Sequence, residues 1–127
     1  MWAVPIERAT VGSQPLNFED RLRFVGVRGD HMRHYNEIDI ALDSLPHVGG
    51  TTTCESLWMG VPTVSLRGPG FPERLSHSNL NNAGLGDLSV VTVADYVAKA
   101  AELAADRSRR LVLRHGLRAQ IAANPLG

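Results

Sequence analysis

The period of apolar and polar positions changes several times along this chain, and each change marks a predicted element. Ile38-Asp39-Ile40-Ala41-Leu42 and the run Val61 to Leu66 are short and dominated by aliphatic residues. Such runs predict strands, the first of them buried on both faces of a sheet. A looser alternation over Arg21 to Val27, ending in Phe24-Val25-Gly26-Val27, predicts a strand before them, and Ser89 to Val91 predicts one after them.

Helical spacing fills the gaps. Asp30 is placed to cap a short helix over His31 to Asn36. Thr51 to Met59 predicts a helix with threonine hydroxyls at its mouth and Gly60 at its end, and Glu73 to Ala83 predicts another, stopped by Gly84. Thr92 caps a helix from Val93 to about Ala105, with Asp95 in its first turn and an apolar face of Ala94, Val97, Ala98, Ala101 and Leu103 to Ala105. The last helix runs from about Ser108 to Ala123, with Leu111, Leu113, Leu117 and Ile121 near one stripe and Pro125 beyond its end. Pro5, Gly12 and Pro15 interrupt any period over Met1 to Asn17, which reads as irregular.

Strands alternating with helices predict an α/β fold: a Rossmann-like parallel sheet with helices on both faces. Residues 1–20 are expected to be a lead-in, the remnant of a missing upstream segment, and residues 21–127 the folded lobe.

Composition narrows the possible partners. The 127 residues suit one domain, and 43% hydrophobic with 20% charged residues is ordinary for a soluble one. Formal net charge is zero and there are no basic runs, so neither nucleic acid nor an anionic membrane is expected as a partner. A phosphate ligand would have to be held by local geometry. Cys54 is the only cysteine, which excludes an intrachain disulfide and a Cys-rich zinc site and fits a reducing, cytoplasmic setting. No apolar run approaches the ~20 residues of a membrane span. His34, His47, His77 and His115 lack metal-ligand spacing, so no metal is expected. Trp58 is expected in the core, Cys54 as a small buried residue, Asp43 as a tie for the loop it opens, and Arg74 in a structural ion pair.

The chemistry gathers after the strand at 38–42, because ligands of open α/β sheets bind beyond the carboxyl ends of the strands. The loop reads Asp43-Ser44-Leu45-Pro46-His47-Val48-Gly49-Gly50, and Thr51-Thr52-Thr53 opens the next helix. Gly49 and Gly50 let backbone approach a ligand and allow positive φ. Hydroxyls and free N–H groups at Thr51 and Thr52, helped by the helix dipole, suit phosphate oxygens. Glu55, one turn further, can accept hydrogen bonds from both hydroxyls of a ribose. The pattern suits a nucleoside diphosphate, and it equally suits a glycine turn with threonine caps. It is neither a Walker loop nor a dinucleotide fingerprint.

A longer string separates the two readings. His31-Met32-Arg33-His34-Tyr35-Asn36-Glu37-Ile38-Asp39-Ile40-Ala41-Leu42-Asp43, followed by Gly49-Gly50-Thr51-Thr52-Thr53-Cys54-Glu55-Ser56-Leu57-Trp58-Met59-Gly60-Val61-Pro62-Thr63-Val64, resembles the C-terminal catalytic lobe of the SPINDLY-type O-linked N-acetylglucosamine transferases. The likeness extends from about Arg21 to Leu126 through Arg74-Leu75-Ser76-His77-Ser78, Gly84-Leu85, Asp95-Tyr96-Val97 and Asn124-Pro125-Leu126. It implies the nucleotide-sugar-binding lobe of a two-lobed (fold B) glycosyltransferase. That enzyme class moves N-acetylglucosamine from UDP-N-acetylglucosamine to Ser or Thr hydroxyls of an acceptor protein, with inversion and without metal or other cofactor.

By resemblance, His31 packs on uracil and ribose, Thr51 and Thr52 bind the diphosphate, and Glu55 takes the place of the acid that holds the ribose. Gly50 stands where some relatives carry a phosphate-binding His, and Arg28 where animal members carry a Lys near the base. The family's leaving-group lysine lies upstream of the matched segment, and Met1 to Asn17 contains no Lys. The chain is therefore expected to bind the donor better than it catalyses, and to need a missing N-terminal lobe, with a tetratricopeptide-repeat region as a further missing part. Rival expectations are a non-catalytic nucleotide-binding module, a fragment without a stable fold, and a transferase using another donor such as GDP-fucose.

Overall fold

The computed structural model describes residues 10–11, 14–15, 23, 25–26 and 29–126. Two short strands, β1 (Thr10–Val11) and β2 (Gln14–Pro15), pair antiparallel near the start, within the stretch expected to be irregular. The strand predicted over Arg21 to Val27 is absent at its described positions, Arg23, Val25 and Gly26; its other positions lie outside the described residues.

The central layer is a three-stranded parallel sheet in the order β3 (Ala41–Leu42), β4 (Thr63–Leu66), β5 (Ser89–Val90). Register pairs Ala41 with Thr63, Leu42 with Val64, Ser65 with Ser89 and Leu66 with Val90. Helices α1 (Thr51–Trp58), α2 (Leu75–Asn82), α3 (Val93–Ala105) and α4 (Arg107–Ala122) flank it. Helices α1, α2 and α3 pack on β4, and α4 packs on α1 and α3. The core lies between these layers and includes Leu57, Val64, Leu80, Leu88, Leu103 and Leu117.

Several stops follow from glycine. Gly60 and Gly84 end α1 and α2 with φ of 77° and 76°, where a side chain would be strained. Thr92 starts α3 as predicted, its Oγ1 accepting the N–H of Asp95 at 3.0 Å. Leu113, Leu117 and Ile121 form the buried stripe of α4, four residues apart, while Leu111 is exposed.

Four expectations need correction. The segment at 38–42 forms only a two-residue strand at the sheet edge, with Ile38 and Leu42 exposed, because β4 covers one edge and the described residues supply no strand on the other. The helix after Asp30 is a 3-10 helix over His31–Glu37 without a side-chain cap; Asp30 pairs with Arg33 at 3.4 Å instead. Helix α3 turns Tyr96, Ala100 and Leu103 inward and leaves Val97 exposed, so its predicted apolar face is out of phase. Trp58 is 42% exposed and lies under the Arg118 guanidinium, 4.8 Å from the ring centroid.

Candidate functional site

The loop between β3 and α1 is built around Asp43. One carboxylate oxygen accepts the Gly49 N–H at 2.7 Å and the other accepts the Ser65 hydroxyl at 2.7 Å. Its main-chain carbonyl accepts the Tyr96 hydroxyl at 3.0 Å. The carboxylate at the end of one strand thus ties the loop to the next strand, as the sequence predicts. Burial, with the Asp43 charge behind it, pushes the Tyr96 phenol above its ordinary range, so it stays a donor.

Space, rather than φ, explains Gly49. Neither Gly49 nor Gly50 has positive φ, contrary to expectation. A Cβ at Gly49 would collide with the Thr52 hydroxyl and lie 2.8 Å from that of Thr53. Gly50 is more permissive, since a Cβ there meets only Leu75 Cδ1, at 3.9 Å.

Gly50 is the N-cap of α1 and makes no side-chain cap bond. Among the described residues, no protein group beyond the helix accepts the N–H of Gly50, Thr51 or Thr52. Thr51 and Thr52 are exposed. The third threonine differs: Thr53 is buried, with its hydroxyl 2.8 Å from that of Ser76. The mouth of α1 therefore presents free amides and two free hydroxyls at the positive end of a helix.

Glu55 stands one turn in, its side chain one-quarter exposed, and Oε2 lies 3.1 Å from His31 Nε2. His31 reaches it from the 3-10 helix. That helix is fixed from behind by Arg114 of α4, which donates to the carbonyls of Tyr35 at 3.1 Å, Met59 at 3.0 Å and Ile38. Tyr35, one turn after His31, donates to the Thr52 carbonyl at 3.4 Å. Burial, then the Glu55 charge, raises its phenol pKa. Sequence reasoning quoted Tyr35 without giving it a role, although its spacing from His31 was a readable signal. His31, Gly49, Gly50, Thr51, Thr52 and Glu55 are thus brought to one end of α1; Arg28 lies outside the described residues.

Two cavities border this region. One of about 230 Å³ is lined by Tyr35, Asp43, Ser44, Thr52 and Thr53, among others. A more apolar one of about 260 Å³ lies beside Glu55, against Met32, Cys54, Trp58, Ile121 and Leu126. A groove of about 820 Å³ runs along α2 past Phe71, Arg74, Leu75 and Asn81. The concentration of free donors favours the α1 mouth over this groove. Arg74 makes no ion pair among the described residues, so its expected structural pair is not found.

Other candidate chemistry falls away on geometry. Burial raises the Cys54 thiol, outweighing a backbone hydrogen bond, so no thiolate nucleophile is prepared. Lys99, the only lysine of the chain, pairs with Glu102 at 2.9 Å on α3. Among the described residues no three His, Cys, Asp or Glu side chains cluster to hold a metal. No helix there is long and apolar enough to cross a membrane.

Comparison with known proteins covers nearly the whole chain. The family profile of Glycosyl transferase family 41 matches residues 9–126. A probable UDP-N-acetylglucosamine–peptide N-acetylglucosaminyltransferase SPINDLY of Oryza sativa subsp. japonica is 41% identical over 118 residues, or 93% of this chain and 13% of the relative. The UDP-N-acetylglucosamine–peptide N-acetylglucosaminyltransferase of Caenorhabditis elegans is 30% identical over 82 residues, 65% of this chain and 7% of the relative. A solved structure of a mutant Thermobaculum terrenum O-GlcNAc transferase superposes with a TM-score of 0.71 at 41% identity, over 77% of this chain and 19% of that one. The chain thus spans a small part of the length of the relatives it matches. On profile, sequence and fold together, it belongs to glycosyl transferase family 41.

Proposed function

We propose that this chain forms the donor-binding part of a protein O-linked N-acetylglucosamine transferase, with UDP-N-acetylglucosamine seated at the mouth of α1. The observation that carries this reading is the pairing of free amides and exposed Thr51 and Thr52 hydroxyls with a carboxylate, Glu55, one turn away and 3.1 Å from His31. The diphosphate takes the amides and the two hydroxyls, where the helix end supplies roughly half a positive charge. Glu55 takes the ribose hydroxyls, and His31 lies against ribose and base. Arg28 is assigned to the base by resemblance alone.

In the reaction, an acceptor Ser or Thr oxygen attacks the anomeric carbon from the face opposite the diphosphate. The bond from that carbon to the phosphate oxygen breaks, its electron pair leaves with UDP, and the hydroxyl proton passes to solvent. The configuration inverts and no metal is required. Within the described residues, the negative charge developing on UDP meets the amides of α1 rather than a lysine, since Lys99 is paired elsewhere. Full leaving-group stabilisation is assigned to the family's lysine upstream of the matched segment, where a preorganised charge contributes several kcal/mol.

Thermal unfolding with added nucleotide tests the reading. A ligand at about 100 times its Kd stabilises the state it binds by about 2.7 kcal/mol. UDP and UDP-N-acetylglucosamine are expected to raise Tm, with EDTA making no difference. Combining Thr52→Ala with Glu55→Ala is expected to remove the shift. Absence of any shift at millimolar UDP would refute the assignment, and a shift with GDP-fucose alone would reassign the donor.

A further inference from the structure

We propose that helix α2 sets the aim of the amides at the α1 mouth, with Ser76 and Asn79 as positioning residues; the proposal rests on the donor reading above. Ser76 Oγ donates to the Gly49 carbonyl at 2.5 Å, and Asn79 Nδ2 donates at 3.1 Å to the Gly50 carbonyl, which also accepts the Cys54 N–H of α1 at 3.3 Å. Both following peptides are trans. In a planar trans peptide the C=O and the next N–H point in opposite directions. Holding the Gly49 carbonyl against α2 therefore turns the Gly50 N–H away from α2, and holding the Gly50 carbonyl does the same for the Thr51 N–H. Among the described residues, these two amides have no protein acceptor.

The clamp closes from the other side as well. Asp43 takes the Gly49 N–H at 2.7 Å, so both polar groups of Gly49 are fixed. The single proton of Ser76 lies on the Gly49 carbonyl, so the 2.8 Å contact with Thr53 has Thr53 as donor. Ser76 is fully buried and has no solvent to replace these partners. Consecutive glycines have the widest conformational choice of any pair, and fixing them before the anion arrives lowers the ordering cost of binding.

The test compares three probes by calorimetric titration of the chain: UDP, inorganic pyrophosphate and uridine. Asn79→Ala and Ser76→Ala are expected to weaken UDP and pyrophosphate about three- to tenfold, the value of one ordinary hydrogen bond, and to leave uridine unchanged. Glu55→Ala should do the reverse, weakening uridine and UDP while sparing pyrophosphate. Asn79 is only partly buried, so its variant reports even if Ser76→Ala fails to fold. Equal UDP affinity in parent and Asn79→Ala would overturn the clamp alone. Parallel loss of uridine and UDP would overturn it too, by marking a general loosening. A parent chain that binds neither UDP nor pyrophosphate would remove the donor reading and the clamp with it.

Discussion

Helices α1 and α3 both follow a parallel strand and both have threonine at or next to the start, yet they treat their first amides differently. At α3, Thr92 Oγ1 accepts the Asp95 N–H at 3.0 Å, and its hydroxyl donates back to the Asp95 carboxylate at 2.7 Å. Helix α4 is closed in the same way, with Asp106 accepting the Arg109 N–H at 2.9 Å. At α1, three threonines stand in a row and none caps the helix: the N-cap is Gly50, and the one threonine that turns inward bonds to Ser76. Capping is a stability device of about 1 kcal/mol. Leaving it unmade where the residues for it are present keeps amides and hydroxyls available to an outside anion.

The contrast can be broken experimentally, beginning where the effect is largest. Thr52→Ala with Glu55→Ala removes partners of a charged ligand from an exposed and a partly exposed position. UDP affinity is expected to fall by more than about a hundredfold, while the urea midpoint of the free chain moves little. Gly50→Asp would set a carboxylate beside the open amides of α1, on a backbone with ψ −79° where the capping Thr92 has ψ 152°. The backbone there has φ −114°, and a Cβ meets only ordinary contact. Stability should rise by at most about 0.5 kcal/mol, since glycine is already a fair N-cap, while UDP binding weakens about tenfold, because the new carboxylate repels the diphosphate. A Gly50→Asp chain that binds UDP as well as the parent would show that the open mouth is not what holds the anion.

Thr92→Ala is the counterpart. It should cost about 1 kcal/mol, seen as a lower urea midpoint at unchanged m, with the Kd for UDP unaltered. The smallest effect concerns pH. Arg67 Nη1 lies 3.0 Å from His77 Nε2 and can only donate, so Nε2 accepts and Nδ1 donates to Ser89 Oγ at 3.0 Å. Burial, then the charges of Arg67 and Arg74, holds the imidazole below its ordinary pKa. The unfolded chain therefore takes up this proton more readily than the folded one. Stability contributed here is present above about pH 6.5 and falls as pH drops through that value toward the folded pKa. A modest loss of Tm between pH 7 and 5.5, removed in His77→Gln, would locate it. No such dependence is expected from the Thr92 cap.

Much of the scaffold was legible because its signals are local. Gly60 and Gly84 stop their helices where only positive φ continues the chain, Thr92 sits three residues before the amide it accepts, and Leu113, Leu117 and Ile121 repeat every four residues. The site residues His31, Thr51, Thr52 and Glu55 were named from a motif, and tertiary packing brings His31 across 24 positions to Glu55. Ser76 was quoted only as part of the motif and Asn79 not at all, and neither was given a role, since they act on a loop 27 and 29 residues away. The face of α3 was misread because Val97 was counted with the apolar face, whereas the stripe that meets the core is Tyr96, Ala100 and Leu103.

By itself, then, the order of residues determined where several helices start and stop and which family the chain resembles, and it named the loop proposed to hold the donor, since these depend on neighbours in the chain and on a long motif. Tertiary structure alone decided which side of α3 is buried, that the strand at 38–42 lies at an edge, that Trp58 faces Arg118, and which way the Gly49 and Gly50 peptides point. Those outcomes turn on partners distant in sequence, whose contacts form only when the sheet and its helices have packed.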